Sequence, residues 1–475
     1  MMLIQIFLVM SILGSVAPLL FDETCYSEVN ECYSNKSPYD VTTKRPLRLP
    51  LPESPKKMNT RLLLYTRNNS ETYQVINISD VNSIRASNFS TNRTTRIVIH
   101  GYTDSAETPW VIEMCKAMLQ VEDVNVIALD WQNGAKSPYT QAVSNIRVVA
   151  TQVTIFIKAL QDVFGYMPSN IHIIAHSLGA QLAGETGKRI TVARITAMDP
   201  AQPFFQDTPP EISLDRSDAG FVDVIHTDSN FFIGIRGYGI QGNIGHWDVY
   251  PNGGKQMPGC SPKDALEGID LTDLLDINKL INATYDLASC NHQKAHEYYT
   301  ASILSPFGFL AFPADNYDEF QKGTSFPCPD KGCPRMGHYA DRHLVNTTSP
   351  QAYFLNTGEP GEFPRYRYKC SLNITSGTGA VILSVSLEGS KGKTRDFTIY
   401  KGISVKSYTT FIDAKIDVGQ VTKVTFVWKG LILGPGLGAS NITVQFGKDR
   451  ATYVLCGSGT VPKDTPQVLT PCKQM

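Results

Sequence analysis

The 475-residue chain sets Lys+Arg 43 against Asp+Glu 44, a formal net charge of −1. No domain carries a basic stripe, so there is no basis for a nucleic-acid partner, nor for attachment to anionic lipid by charge alone. A hydrophobic content of 42% is that of an ordinary globular protein, and the length accommodates two or three domains.

The first twenty residues, "MMLIQIFLVMSILGSVAPLL", are apolar and uncharged. They predict a secretory signal, residues 1–17, ending among the small residues Gly14, Ser15 and Ala17, although a basic n-region is missing. The mature protein is expected to be soluble and extracellular. N-x-S/T sequons at Asn68, Asn77, Asn88, Asn92, Asn282, Asn346, Asn373 and Asn441 agree with export and a glycosylated surface. Asn35 also matches, but the proline after Ser37 weakens it. The cysteines read as staples. Cys25 with Cys32, Cys328 with Cys333, and Cys456 with Cys472 are closely spaced, and Cys260 with Cys290 bracket a longer loop. Such spacing favours local pairing without fixing connectivity. Cys115 and Cys370 are left over and read as buried thiols.

Residues 21–57 are turn-rich. Short apolar runs follow at 61–66, 96–104, 124–131, 170–179, 194–200 and 221–228, as expected of strands buried on both faces. Helical patterns occupy 141–164 and 180–190. In the first, Ile146, Val149, Val153, Ile157, Leu160 and Val163 recur on one face. Strand–helix alternation predicts a mostly parallel α/β sheet. After about residue 364 the pattern changes to short strands and turns without a convincing helix. An all-β sandwich over 365–475 is expected there.

Ser177 lies in "IIAHSLGAQ", between the strand Ile171–Ile174 and a helix opening at Leu178. A nucleophile elbow needs that strand–turn–helix context and small neighbours. Ala175 replaces the first glycine of G-x-S-x-G and is tolerable where its φ is negative. By itself the motif leaves an ordinary serine at roughly even odds. A triad of this kind runs Ser, acid, His in chain order. Asp199 ends a strand and fits best. Asp228 is second, while Asp130 and Asp223 fit worse. Chain order permits His226, His246 and His292, so spacing leaves the histidine open.

The segments "IIAHSLGAQLAGE", "MDPAQPFF", "LDRSDAGFVDVIHTD", "GHWDVYPNGGKQMPGC", "CNHQKAHEYYT" and "PCPDKGCPRMGHYADR" resemble the pancreatic lipase family, from about Cys25 to the C-terminus. The resemblance implies an α/β-hydrolase domain over 18–364 and a PLAT-like β-sandwich over 365–475. It also implies a secreted triacylglycerol lipase acting at a lipid interface. The alternatives are a phospholipase A1, a galactolipase or a lipoprotein lipase of the same family, or a non-catalytic, yolk-type lipid binder.

The same resemblance assigns Ser177, Asp199 and His292 as the triad, with oxyanion donors from the backbones of Tyr102 and Leu178. It implies one structural Ca²⁺ held by Asp215, Asp218 and the carbonyls of Ser213 and Pro210, with Glu211 as the substitute for Pro210. Between Cys260 and Cys290 it implies a full-length lid, whose apolar positions are Leu266, Ile269, Leu274, Ile277 and Ile281. The companion loop is 229–243. The C-terminal domain is expected to meet lipid or a colipase-like protein, with "GLILGPGLG", 430–438, as an exposed apolar loop. Two departures stand out. Cys115 has lost its family partner, whose position is Val126, and Ala314 and Ser325 replace a second pair. Ala201 and Pro203 match the family's active members, whereas its inactive branch differs there.

Overall fold

The structure, a computed structural model, describes residues 22–472 except 79, 230, 233–234, 262–276, 344–350, 376–377, 404–405 and 435. The expected signal segment, Asn346 and the lid positions Leu266, Ile269 and Leu274 lie outside the described residues. The chain divides into two compact units. One comprises Met1–Leu304 with Asn346–Ala352, and the other Ser305–Val345 with Tyr353–Met475.

The first unit is built on a twisted sheet. Eight of its ten strands are β1 (Arg61–Tyr65), β2 (Gln74–Ile76), β3 (Thr95–Ile99), β4 (Asn125–Asp130), β5 (Ile171–His176), β6 (Val192–Met198), β7 (Ala219–Ile225) and β8 (Trp247–Pro251). They run in the order β8-β7-β6-β5-β3-β4-β1-β2. All neighbours from β8 to β4 are parallel, and β1 and β2 are antiparallel additions at the edge. The central strands β4 and β5 are buried at every position. This explains why they read as continuous apolar runs rather than alternations.

The longer helices of this unit are α1 (Pro109–Val121), α2 (Tyr139–Phe164), α3 (Leu178–Gly187) and α4 (Ile277–Ile303). α2 buries Ile146, Val149, Val153, Ile157 and Leu160 as the periodicity requires. Val163, expected on that face, is instead 43% exposed one residue from the helix end. α2 is long and apolar enough to cross a membrane, but its apolar window is mostly buried within the protein. It is a core helix.

In the second unit the strands are β9 (Tyr366–Thr375), β10 (Thr378–Gly389), β11 (Phe397–Ile403), β12 (Ser407–Ala414), β13 (Val421–Leu433), β14 (Gly438–Phe446), β15 (Thr452–Cys456) and β16 (Gln467–Pro471). Two antiparallel layers, β11-β10-β13-β16 and β15-β14-β9-β12, join through a short β15–β16 pairing. Val385, Phe426, Leu372 and Ile442 from both layers fill one core. The strands begin at Tyr366, where the sequence predicts them. The unit also includes Ser305–Val345, because Phe320 and Phe326 pack on it: Arg367 lies 4.1 Å over the Phe320 ring, and Phe326 meets Phe411 edge-on.

All four expected disulfides form: Cys25–Cys32, Cys260–Cys290, Cys328–Cys333 and Cys456–Cys472. Cys115 and Cys370 are free and buried, and burial pushes both thiols up to about 12. Thiols held neutral in this way are inert.

Candidate active site

Ser177 is the single residue between β5 and α3, and its backbone sits at φ 57°, ψ −123°. A non-glycine residue held at positive φ carries strain that the surrounding packing must support. Ala175 is not among the positive-φ residues. It faces Ile99 and Ala197 on the neighbouring strands, so the added methyl is accommodated. The close approach falls on two glycines. A Cβ on Gly179 would lie 2.4 Å from the His100 carbonyl. A Cβ on Gly101 would meet Ser177 Cβ at 2.8 Å and Oγ at 3.4 Å. The turn His100-Gly101-Tyr102 is therefore pressed directly against the serine. Leu178 opens α3, where the first amide groups have no intrahelical acceptor.

Asp199 follows β6, also at positive φ (46°). Its carboxylate is fully buried and fully used. Oδ1 accepts the amides of Thr227 (2.8 Å) and Asp228 (3.0 Å), and His292 Nδ1 donates to Oδ2 at 2.6 Å. Charge-assisted bonds of this kind fix both the tautomer and the orientation of the imidazole. His292 lies two residues beyond Cys290 within α4, so the Cys260 disulfide tethers it. Ser177 Oγ makes no hydrogen bond among the described residues. His176 and Trp110 pack around His292 and its helix: the His176 ring lies 4.6 Å from that of His292, and Trp110 stacks on His296 at 4.5 Å. Burial, reinforced by His292, pushes His176 down to about 3, so it is neutral.

The other histidines allowed by chain order are engaged elsewhere. His226 pairs with Asp248 at 2.8 Å and stacks on Tyr250. His246 Nδ1 accepts the Val222 amide. Asp130 is held by Arg61, and Asp223 by Arg194. Asp228 is different: Asp199, Asp228 and His292 bring one ligand atom each within 4.8 Å of one another. Asp228 Oδ2 accepts the Tyr238 amide at 2.8 Å. Burial and the neighbouring Asp199 push it up to about 7. A second buried carboxyl beside the first was not anticipated as a pair. Its signal was only that Asp228 ends the next strand.

The loop after Asp199 is tied back to the serine. The Ala201 amide donates to the Ser177 carbonyl at 3.1 Å, and the Ala201 carbonyl accepts Gln181 Nε2 at 2.9 Å. Farther along, Asp215 and Asp218 form a reciprocal capping box. Lys188 Nζ reaches Asp218 Oδ2 at 2.7 Å and the Ser213 carbonyl at 2.9 Å. Burial pushes Asp218 up to about 6 even beside this ammonium. The oxygen donors suit a hard cation. Lys188 already holds two of the expected ligands.

Of the sequons, Asn68, Asn77, Asn92 and Asn373 are exposed, and Asn88 and Asn441 are half-buried. Asn35 is buried with its amide on the Leu49 carbonyl, which leaves no room for a glycan. In the companion loop, Phe231–Phe232 pairs with Ile235–Arg236.

A family model described as "Lipase" matches residues 22–363. The chain is 46% identical over 463 residues to pancreatic lipase-related protein 2 of Cavia porcellus, covering 95% of this chain and 100% of that one. It is 46% identical over 462 residues to the protein of the same name in Myocastor coypus (95% and 96%). It is also 46% identical over 458 residues to inactive pancreatic lipase-related protein 1 of Mus musculus (95% of each).

Proposed function

The chain belongs to the lipase family and is a lipid ester hydrolase, and we propose that it is a secreted, active triacylglycerol lipase using Ser177, His292 and Asp199. The carrying observation is the 2.6 Å Asp199–His292 bond in the same site as a strained serine elbow. Ser177 Oγ attacks the ester carbonyl, and His292 takes its proton and returns it to the leaving alkoxide. Asp199 holds the imidazole and offsets the imidazolium. The amides of Tyr102 and Leu178 receive the oxyanion; each such donor contributes about 10²–10³ in rate. Ala201 and Pro203 match the family's active members, and the Ala201 amide ties that loop to the Ser177 carbonyl.

The family match ending at 363 supports a catalytic domain over 18–364 and a PLAT-like sandwich over 365–475. The stretch Cys260–Cys290 serves as the lid. Leu431 and Leu433 are 81% and 82% exposed on β13, and support contact of the sandwich with a lipid surface or a colipase-like protein. Pro210, Ser213, Asp215 and Asp218 are the proposed calcium ligands; the ion would brace the loop and takes no part in the chemistry. Asn68, Asn77, Asn92 and Asn373 are the exposed glycan acceptors, and Asn88, Asn282, Asn346 and Asn441 complete the proposed set.

The test is fatty-acid release from emulsified triglyceride and from phosphatidylcholine, by secreted wild type and Ser177→Ala. Serine-dependent release from triglyceride is expected. Release from phosphatidylcholine alone would assign the enzyme to phospholipids. No serine-dependent release from either, by folded protein with calcium and colipase, would overturn the reading.

A further inference from the structure

His100 follows β3 and Trp131 follows β4, and both are fully buried. Two donors of Trp131 meet two acceptors of His100. The Trp131 amide donates to His100 Nε2 at 3.2 Å, and its indole Nε1 donates to the His100 carbonyl at 2.9 Å. The two rings stack with centroids 5.5 Å apart. The other ring nitrogen, Nδ1, lies 3.0 Å from the Gly101 carbonyl. A carbonyl only accepts, so Nδ1 carries the proton, and Nε2 keeps the lone pair that the Trp131 amide needs. The Asp130 carboxylate stands 3.6 Å from Nε2, too far for a hydrogen bond.

The Gly101 carbonyl belongs to the same peptide group as the Tyr102 amide. A peptide bond is planar, and this one is trans. Its C=O and N–H therefore point in opposite directions. Fixing the carbonyl on one side fixes the direction of the N–H on the other. The turn is also held beyond that peptide. The Thr103 amide donates to the Ala135 carbonyl at 3.1 Å, and Asp130 Oδ1 accepts the Ala106 amide at 3.2 Å. Arg61 holds the other oxygen of Asp130, at 2.6 and 2.9 Å. The His100 carbonyl, which takes the indole bond, also packs against Gly179, next to Leu178. The same bond thus bears on the spacing of the two proposed oxyanion donors.

We propose that His100 and Trp131 are positioning residues of the oxyanion hole. The imidazole aims the Gly101–Tyr102 peptide, and Trp131 holds the imidazole in the tautomer that can do so. Both are buried and act through the Tyr102 amide, without touching the ester. This inference rests on the lipase reading above.

The experiment is steady-state hydrolysis of a soluble short-chain ester, with inhibition by an alkylboronic acid, which adds to a serine hydroxyl as a tetrahedral anion. Wild type, His100→Phe, His100→Gln and Trp131→Phe are compared. His100→Phe keeps a ring but frees the Gly101 carbonyl. Its kcat is expected to fall by about 10–10², less than for outright loss of a donor, with KM little changed. Its affinity for the boronic acid should fall by a similar factor, which a purely structural role would not require. His100→Gln offers an N–H to the carbonyl and should recover part of the loss. Trp131→Phe, which lacks only the indole donor, should show a smaller loss of the same kind. Wild-type kcat in His100→Phe, or a lower kcat with unchanged boronic-acid affinity, would overturn the proposal. A crystal structure of the wild-type boronic-acid adduct reads the same claim without relying on a variant to fold. The Tyr102 amide is expected on the boronate oxygen, with the Gly101 carbonyl still on His100 Nδ1. A Gly101 carbonyl turned away from His100 in that adduct would overturn the proposal. No serine-dependent hydrolysis by wild type would overturn the lipase reading, and this inference with it.

Discussion

His176 Nε2 donates to the backbone carbonyl of His292 across 3.1 Å. The residue immediately before the candidate nucleophile thus anchors the candidate base, which lies 116 positions later in the chain. Because burial holds His176 neutral, it can support His292 without repelling the imidazolium that forms during turnover. His176→Phe removes the donor while keeping a ring. It is expected to lower kcat by about 10–10² with little change in KM, as for a misplaced catalytic group. His176→Gln keeps an N–H and should recover part of the loss. Unchanged kcat in His176→Phe would contradict the positioning role.

Gly101 makes the turn against Ser177 possible. Gly101→Ala is expected to reduce kcat by about 10² or more, because the added methyl pushes the turn carrying the Tyr102 amide away from the serine. Steady-state kinetics on a soluble short-chain ester would read this directly, without the complication of an interface.

Asp228 makes stability depend on pH. Its pKa of about 7 in the fold lies above the ordinary aspartate value of about 3.9. The folded state therefore favours its protonated form. That contribution is fully present below about pH 4 and is lost as pH rises through 7. Asp228→Asn is neutral throughout. Relative to wild type it should gain about 1–3 kcal/mol between pH 4 and pH 8. Denaturant unfolding of both proteins across that range measures the difference, and a constant offset would contradict the raised pKa.

Lys188 contacts the Ser213 carbonyl and Asp218, two of the proposed calcium ligands. Its ammonium should partly substitute for the ion when calcium is removed. A chelator is therefore expected to lower the Tm of Lys188→Met by on the order of 2–4 °C more than that of wild type. Equal shifts in the two proteins would show that the ammonium and the ion do not share the site.

Much of the α/β unit was legible because β4 and β5 are buried on both faces and α2 on one, and burial writes itself into local periodicity. The elbow was legible because strand, serine and helix are consecutive. α1 was not assigned from sequence, although Pro109 at its start and Val111, Met114, Cys115 and Met118 on its buried face form a readable pattern. β8 was missed because Asp248 and Pro251 interrupt its apolar run. The choice of His292 over His226 and His246 was beyond spacing, since it depends on which of them folding brings to Asp199. The Asp228–Asp199 proximity and the Lys188 contacts are relations between distant segments. Such relations leave no mark on local sequence.

The central claim is that Ser177 is the nucleophile, and covalent labelling tests it most directly. The folded protein would be treated with a lipase-directed phosphonate, digested, and the modified peptide identified by mass spectrometry. The account predicts one label per chain, on Ser177, with triglyceride hydrolysis lost in proportion and no labelling of Ser177→Ala. A label on another residue that tracks the loss of activity, or full activity in Ser177→Ala, would contradict it.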